Sequence, residues 1–340
     1  MHTLQTFSAT RGRGATLILV LLILLGFCFC LSLCLGSTPL GARTLLAIIT
    51  GKDTSSQAYR IVRYVRLTRT LASLLSGMAL ALSGSLLQKS LHNPLAGPSI
   101  IGVNAGSGLL TLLAAAFFPR MLALGAFASF LGALMATLLV YALARRSGST
   151  RLTIILAGVA VSSLLGSCTD ALLTLRPETQ LGRIDFLIGS FAHVTFSQLQ
   201  LAAPLILLGI TCSLFLGKPL AILSLGDEVA RSLGLDVRRT RFLSLMLSAL
   251  LSATVVSMCG LVGFVGLVVP HMVRFLIGEE SPLYLLSCTL GGAIMTVGCD
   301  LVARMLFSPY ELPTGVVLSF LGSPFFLLLL FTRKRRTANA

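Results

Sequence analysis

Long uncharged runs alternate with short basic clusters along the whole chain. A helix needs about 20 apolar residues, at ~1.5 Å of rise each, to cross the ~30 Å hydrocarbon core of a bilayer. Uncharged windows of that order run over residues 14–42, 70–88, 90–119, 121–144, 186–217, 281–299 and 312–332, with a slightly shorter one at 152–169 that ends before Asp170. The window 242–273 is too long for one untilted helix and is interrupted by Gly260, Gly263, Gly266 and Pro270. Counted once it gives nine spans; divided into about 242–258 and 261–277 it gives ten. The pattern therefore predicts an all-α, polytopic membrane protein, with one transmembrane domain over residues 1–340 and no Pro- or Ser-rich linker.

Charge decides between nine and ten. Arg11 and Arg13 precede the first span, and Arg333, Lys334, Arg335 and Arg336 follow the last. Basic residues favour the cytoplasmic side, so both termini are expected there and the number of crossings is even. With ten spans, 16 of the 26 Lys and Arg residues fall inside. Of the ten outside, six crowd into one external segment, 43–69: Arg43, Lys52, Arg60, Arg63, Arg66 and Arg69. That local violation of the rule asks for a reason.

Composition narrows the class further. Apolar residues make up 55% of the 340 and charged residues 11%, with a mean hydropathy of +0.94. Soluble domains are about 25% charged, so an ordinary globular enzyme, a disordered chain and a nucleic-acid-binding domain are all excluded. The net charge of +15 belongs to loops and not to a nucleic-acid surface. The first apolar run is about twice the 7–15 residues of a signal-peptide core, so an uncleaved first span is expected. The bulky Leu33 argues against lipoprotein cleavage before Cys34.

Chemical motifs are sparse. The eight cysteines lie in apolar windows without a CxxC pair or a neighbouring His, and read as small buried hydrophobes; neither a metal site nor another cofactor is expected. Gly51-Lys52 is followed by Asp53 and lacks the upstream glycine of a phosphate-binding loop. Any ATP-driven step therefore needs a separate ATPase polypeptide, and no catalytic constellation supports enzyme activity. Glycines at helical spacing, including Gly77, Gly84, Gly266 and Gly292, allow close helix approach within a bundle or at a subunit interface.

Ionisable groups in spans are costly and count as functional candidates. Asp170 lies in the fifth span, and His271 follows Pro270 as either a proton relay or a structural hydrogen-bonder. Asp300 and Arg304 are four apart, so they share a helix face and can pair. The cytoplasmic loop 218–241 carries a short helix, opened by Asp227 and Glu228 and closed by Gly234. Its apolar points, Leu225, Val229 and Leu233 among them, suit a membrane surface or a partner equally.

Several blocks, in order, resemble one family. They are Arg66-Leu-Thr-Arg69-Thr-Leu, Gly77-Met-Ala-Leu-Ala-Leu-Ser-Gly84, His92-Asn93-Pro94-Leu95-Ala96 and Gly102-Val-Asn-Ala-Gly106 in the front half. Leu225-Gly-Asp-Glu-Val-Ala-Arg-Ser-Leu-Gly234, Gly263-Phe-Val-Gly-Leu-Val-Val-Pro-His-Met-Val-Arg274, Asp300-Leu-Val-Ala-Arg304, Glu311-Leu-Pro-Thr-Gly-Val-Val317 and Gly322-Ser-Pro-Phe-Phe326 follow. Together they are similar to permease subunits of ABC importers for iron–siderophores, haem and cobalamin. The chain departs from that pattern in lacking Trp: Phe186, Phe191 and Phe196 stand in a region that is usually Trp-rich.

The resemblance implies ten helices, a second permease subunit (identical or a close paralogue), two cytoplasmic ATPases and an external substrate-binding protein, in a bacterial inner membrane. It implies that Arg66, Arg69 and Arg304 receive acidic side chains of the binding protein; the alternative is an anchor for a helix end at the headgroups. Asn93 and Leu95, joined by Ser149 and Thr150, correspond to a cytoplasmic gate. Leu225, Gly226, Asp227, Glu228, Ala230, Arg231 and Gly234 correspond to the coupling helix on the ATPase, with Asp227 and Glu228 facing basic ATPase residues and Arg231 acidic ones. The competing class is an ion-coupled secondary transporter using Asp170, His271 and Asp300, to which the break near 260–270 is suited.

Overall fold

In the computed structural model, residues 2–36, 56–118, 121–148 and 150–338 are described, and among them every regular element is helical. The long helices are α1 (His2–Cys34), α2 (Gln57–Leu91), α3 (Val103–Phe117), α4 (Leu122–Arg146) and α5 (Arg151–Leu175). After the short α6 (Gln180–Ile188) come α7 (Phe196–Phe215), α8 (Gly217–Leu223) and α9 (Asp227–Ser232). The chain finishes with α10 (Val237–Cys259), α11 (Val265–Ile277), α12 (Tyr284–Met305) and α13 (Thr314–Ala338). Seven are long and apolar enough to cross a bilayer, and α3, α11 and the first part of α13 are shorter apolar helices. Each of the ten predicted windows holds one of these. Ser149 and residues 43–55 of the external segment, Arg43 and Lys52 included, lie outside the described residues.

Three predicted boundaries shift, each for a backbone reason. The window 90–119 yields only α3, because α2 stops at Leu91: His92 adopts the left-handed conformation (φ 49°). Pro94 and Pro98 then lack amide donors, and residues 98–101 form one 3₁₀ turn that Gly102 (φ 82°) closes. The window 186–217 divides at Gly189 (φ 61°), and α7 begins where Thr195 and Gln198 form a capping box. Helix α10 starts before the apolar run, since Asp236 caps it by accepting from the Arg239 amide at 3.0 Å. Arg238, Arg239 and Arg241 consequently sit on a helix and not in the cytoplasmic loop.

Helix α2 occupies the centre, packed against α7, α10, α11 and α12. Nearly all of its Leu67–Leu91 stretch is buried, Ser73, Ser76, Ser83 and Ser85 included. Small residues make that possible. A Cβ on Gly77 would meet the Gly292 carbonyl of α12, and one on Gly84 would meet the Gly266 carbonyl of α11. Close approach replaces the hydrophobic effect as the force between helices in lipid. Some buried hydroxyls find partners across the seams: Ser83 Oγ lies 2.6 Å from Ser248 Oγ, and Thr296 donates to the Ser73 carbonyl at 2.8 Å. The second lobe, α3, α4 and α5, packs on the opposite side of α10 through Ile101, Val140, Ile154 and Ala249. The cysteines divide: Cys259, Cys288 and Cys299 are buried, whereas Cys30, Cys34 and Cys168 are exposed on helix faces and correct the uniform expectation of burial.

Three helix breaks meet and satisfy one another. The Leu261 amide donates to Phe186 O (2.8 Å), Ser190 to Cys259 O (2.9 Å) and Gly315 to Gly189 O (3.0 Å). Non-helical backbone at membrane depth survives only when protein supplies such partners.

Substituting Gly292→Ala should force α2 and α12 apart and cost about 1–3 kcal/mol, whereas Gly298→Ala on the same helix meets open space. Thermal melting of the purified protein in detergent should fall for the first and hold or rise for the second.

Candidate functional site

Polar side chains concentrate at the two ends of the bundle. At the end where α1 finishes and α2 begins, Asp300 of α12 is fully buried. Arg69 Nε donates to its two oxygens at 3.0 and 3.1 Å, Arg304 Nε lies 3.2 Å from Oδ2, and the Thr314 hydroxyl donates at 2.8 Å. Arg69 also pairs through Nη1 with Glu311, and Arg304 Nη2 with the Ser32 hydroxyl, which itself lies 2.7 Å from Thr70 Oγ1. Arg66 donates to the Leu33 and Cys34 carbonyls, both at 2.9 Å. A cation at a helix C-terminus both caps free carbonyls and meets the negative end of the helix dipole.

This changes the picture of the three arginines. They were expected to stand open to a partner's carboxylates, yet Arg66, Arg69 and Arg304 are only 4%, 6% and 3% exposed and are engaged within the chain. The expected Asp300–Arg304 pair is present, enlarged by Arg69 from another helix. Sequence reading missed Glu311, Thr314 and Ser32 as members.

At the other end, Asp227 opens α9 and faces inward. Arg151, at the start of α5, pairs with its Oδ1, and Arg241 Nη2 lies 3.0 and 2.9 Å from its two oxygens. Arg241 is buried and its Nε also donates to Ser90 O, in the last turn of α2, at 3.2 Å. Burial raises the Asp227 carboxyl, but the hydrogen bonds from Arg241 and Arg151 outweigh it and hold the group below its ordinary value. The clamp is therefore fully charged above the ordinary carboxylate range and is lost only as pH falls through the depressed value. Burial, with Arg151 adding to it, pushes the neighbouring His92 imidazole below its ordinary value. Asp227, expected to face an ATPase, is held within the chain by both arginines, with a quarter of its side chain still exposed.

The rest of α9 points outward. Gly226 (φ 111°) precedes it and Gly234 (φ 81°) follows it, as expected for a helix with a glycine stop. Glu228 and Arg231 are exposed, as are Leu225, Val229 and Leu233, while Ala230 is buried. A cleft of about 520 Å³ runs between the α5 start, at Thr150, Arg151 and Leu152, and Leu225–Val229. Among the positions expected to form a gate, Asn93 Oδ1 accepts from the Leu95 amide at 2.9 Å, Leu95 is exposed, and Thr150 caps α5.

The remaining polar candidates have separate surroundings. Asp170 is exposed and pairs with Arg183 of α6 at 3.2 Å, while the His271 ring lies edge-on to Phe325. Asp300 is consumed by its arginines. Lys89, expected as a loop charge, is buried: its ammonium sits 4.5 Å from the Tyr284 ring centre and donates to Glu279 O. Among the described residues no group of three His, Cys, Asp or Glu could hold a metal.

An all-helical bundle with interrupted apolar helices, charged clusters at its ends and a short clamped helix between spans defines a polytopic membrane permease. The FecCD transport family matches residues 21–332. The chain is 34% identical to the hemin transport system permease protein HmuU of Yersinia pestis over 314 residues, 90% of this chain and 94% of that one. It is 37% identical to the Fe(3+) dicitrate transport system permease protein FecD of Escherichia coli over 304 residues, 88% and 93% of the two chains. A solved metal-chelate type ABC transporter in an inward-facing conformation superimposes with a TM-score of 0.82 at 30% identity, covering 94% of this chain and 99% of that one. This chain belongs to the FecCD transport family.

Asp300→Asn should leave the buried Arg304 without its paired acid and Arg69 with Glu311 alone, a loss of about 3–5 kcal/mol. Glu311→Gln, at a side chain 31% exposed, should cost far less. Detergent melting curves of the two variants should separate clearly.

Proposed function

We propose that this chain is the permease subunit of an ATP-driven importer that carries an iron(III)–siderophore or a related metal chelate, such as haem or cobalamin, into the cytoplasm. The observation that carries the reading is α9: a short helix held to the bundle by Asp227, with Leu225, Val229, Leu233, Glu228 and Arg231 turned outward. Such a face suits a partner that pushes on it. ATP hydrolysis then belongs to two separate ATPase subunits, and this chain moves without catalysing. A second permease subunit, identical or closely related, completes the pathway, and an external binding protein delivers the chelate. The protein resides in a bacterial inner membrane with both termini cytoplasmic, and neither nucleic acid nor a resident cofactor takes part.

Within this reading, Arg66, Arg69 and Arg304 serve docking by position. Beneath the external face they lock the ends of α1, α2, α12 and α13 into one surface, with Glu311 at its accessible edge. Asn93, Leu95, Ser149 and Thr150 form the cytoplasmic gate. ATP binding closes the ATPases, α9 follows, and the bundle shifts between inward- and outward-open states, each ligand favouring the state it binds better.

The complex, reconstituted with its own binding protein, should take up one member of a panel of labelled ferric hydroxamate, catecholate, citrate, haem and corrinoid chelates when ATP is supplied. Ala230→Pro removes the Ala230 amide bond to Gly226 O and disfavours α9 by about 3 kcal/mol. Uptake should collapse while ATP hydrolysis continues. Coupled uptake in that variant would refute the role of α9.

A further inference from the structure

We infer that the Asp227 carboxylate is the joint through which α9 moves both halves of the cytoplasmic gate. The inference rests on the importer reading above. In that reading the gate draws on two different helices, with Asn93 and Leu95 following α2 and Thr150 preceding α5. Each abuts one arginine contact of the same carboxylate. Arg151 directly follows Thr150 and holds Asp227 Oδ1 through Nη2 and, at 3.2 Å, through Nε. Arg241 grips both Asp227 oxygens and carries the link on to Ser90 O, three residues before Asn93.

Burial makes this joint stiff. Arg241 is 3% exposed, and a buried guanidinium that loses its carboxylate becomes an unpaired charge away from water. Displacement of α9 therefore draws Arg241 and Arg151 along in preference to breaking the pairs. Arg241 suits the task because a planar guanidinium reaches two acceptors in fixed directions, which an ammonium does not. Asp227 is already engaged by two arginines of its own chain, and contact with an ATPase falls mainly to the outward residues of α9. Asp227 is thus a positioning residue that transmits movement and contacts neither the chelate nor ATP.

The test uses the complete reconstituted complex: transport per ATP is read with Leu95 intact, and a spin label on Leu95→Cys, with the eight native cysteines replaced by Ser, is compared with and without ATP. Asp227→Asn should lower chelate transported per ATP hydrolysed about tenfold and abolish the ATP-dependent change at the label, with the ATPases still bound. Asp227→Glu should restore part of both. A residue needed only for folding would lower the yield of complex without changing transport per ATP. Arg241→Lys, which keeps the charge and loses the fork, gives the same readout should Asp227→Asn not fold. Wild-type transport per ATP, or a label that still responds, overturns the proposal, as does loss of the ATPases from the Asp227→Asn complex. Ala230→Pro separates the levels: if it uncouples transport while Asp227→Asn does not, only the joint is wrong. If neither uncouples, the importer reading of α9 falls with it.

Discussion

A fully buried carboxylate, Asp300, organises one whole end of this protein. Placing it in a membrane interior would be prohibitive alone, and it persists because Arg69, Arg304 and Thr314 all approach it. Each of those partners comes with a helix. Arg69 brings α2, Thr314 brings α13, and Arg304 reaches on to Ser32 of α1. The charge requirement thus dictates which helix ends lie side by side. Arg66, the surplus cation, is accommodated by the carbonyls that end α1.

Below that cluster, packing takes over from charge. The central helix is short of large side chains along its seams, and its glycines oppose glycines of α11 and α12. Helices brought so close can share hydroxyl hydrogen bonds, as Ser83 and Ser248 do. The same closeness explains how α6, α10 and α13 can end or begin in mid-bundle. Their exposed amides and carbonyls pair across the breaks at Gly189, Gly260 and Gly315. At the far end charge returns, with Asp227 between Arg151 and Arg241. The two ends share a logic: an acid is held by two arginines, Asp300 by one from its own helix and one from α2, Asp227 by arginines of α5 and α10.

Much of this was legible in one dimension. A bilayer demands a stretch of apolar residues of known length, so nine windows could be read off directly, and the terminal charges together with the glycines at 260–266 divided one of them to give ten. The short helix α9 was legible because Asp227, Glu228 and Gly234 occupy helix-end positions. The Asp300–Arg304 pair followed from helical spacing. The roles of the ionised groups were not legible to the same degree. Arg66, Arg69 and Asp227 read as surface charges awaiting partners, because nothing local to them names an internal one. Their partners lie 33, 231 and 14 residues away.

Sequence alone therefore determined the class of protein, the succession of apolar helices and the break at 260–266, since these depend on local apolar length and backbone freedom. Tertiary structure decided which charges are buried, which acids they meet, and that Arg241 ties α9 to the end of α2. Those outcomes depend on helices distant in sequence being pressed together by small residues, and no local pattern records which helix will arrive.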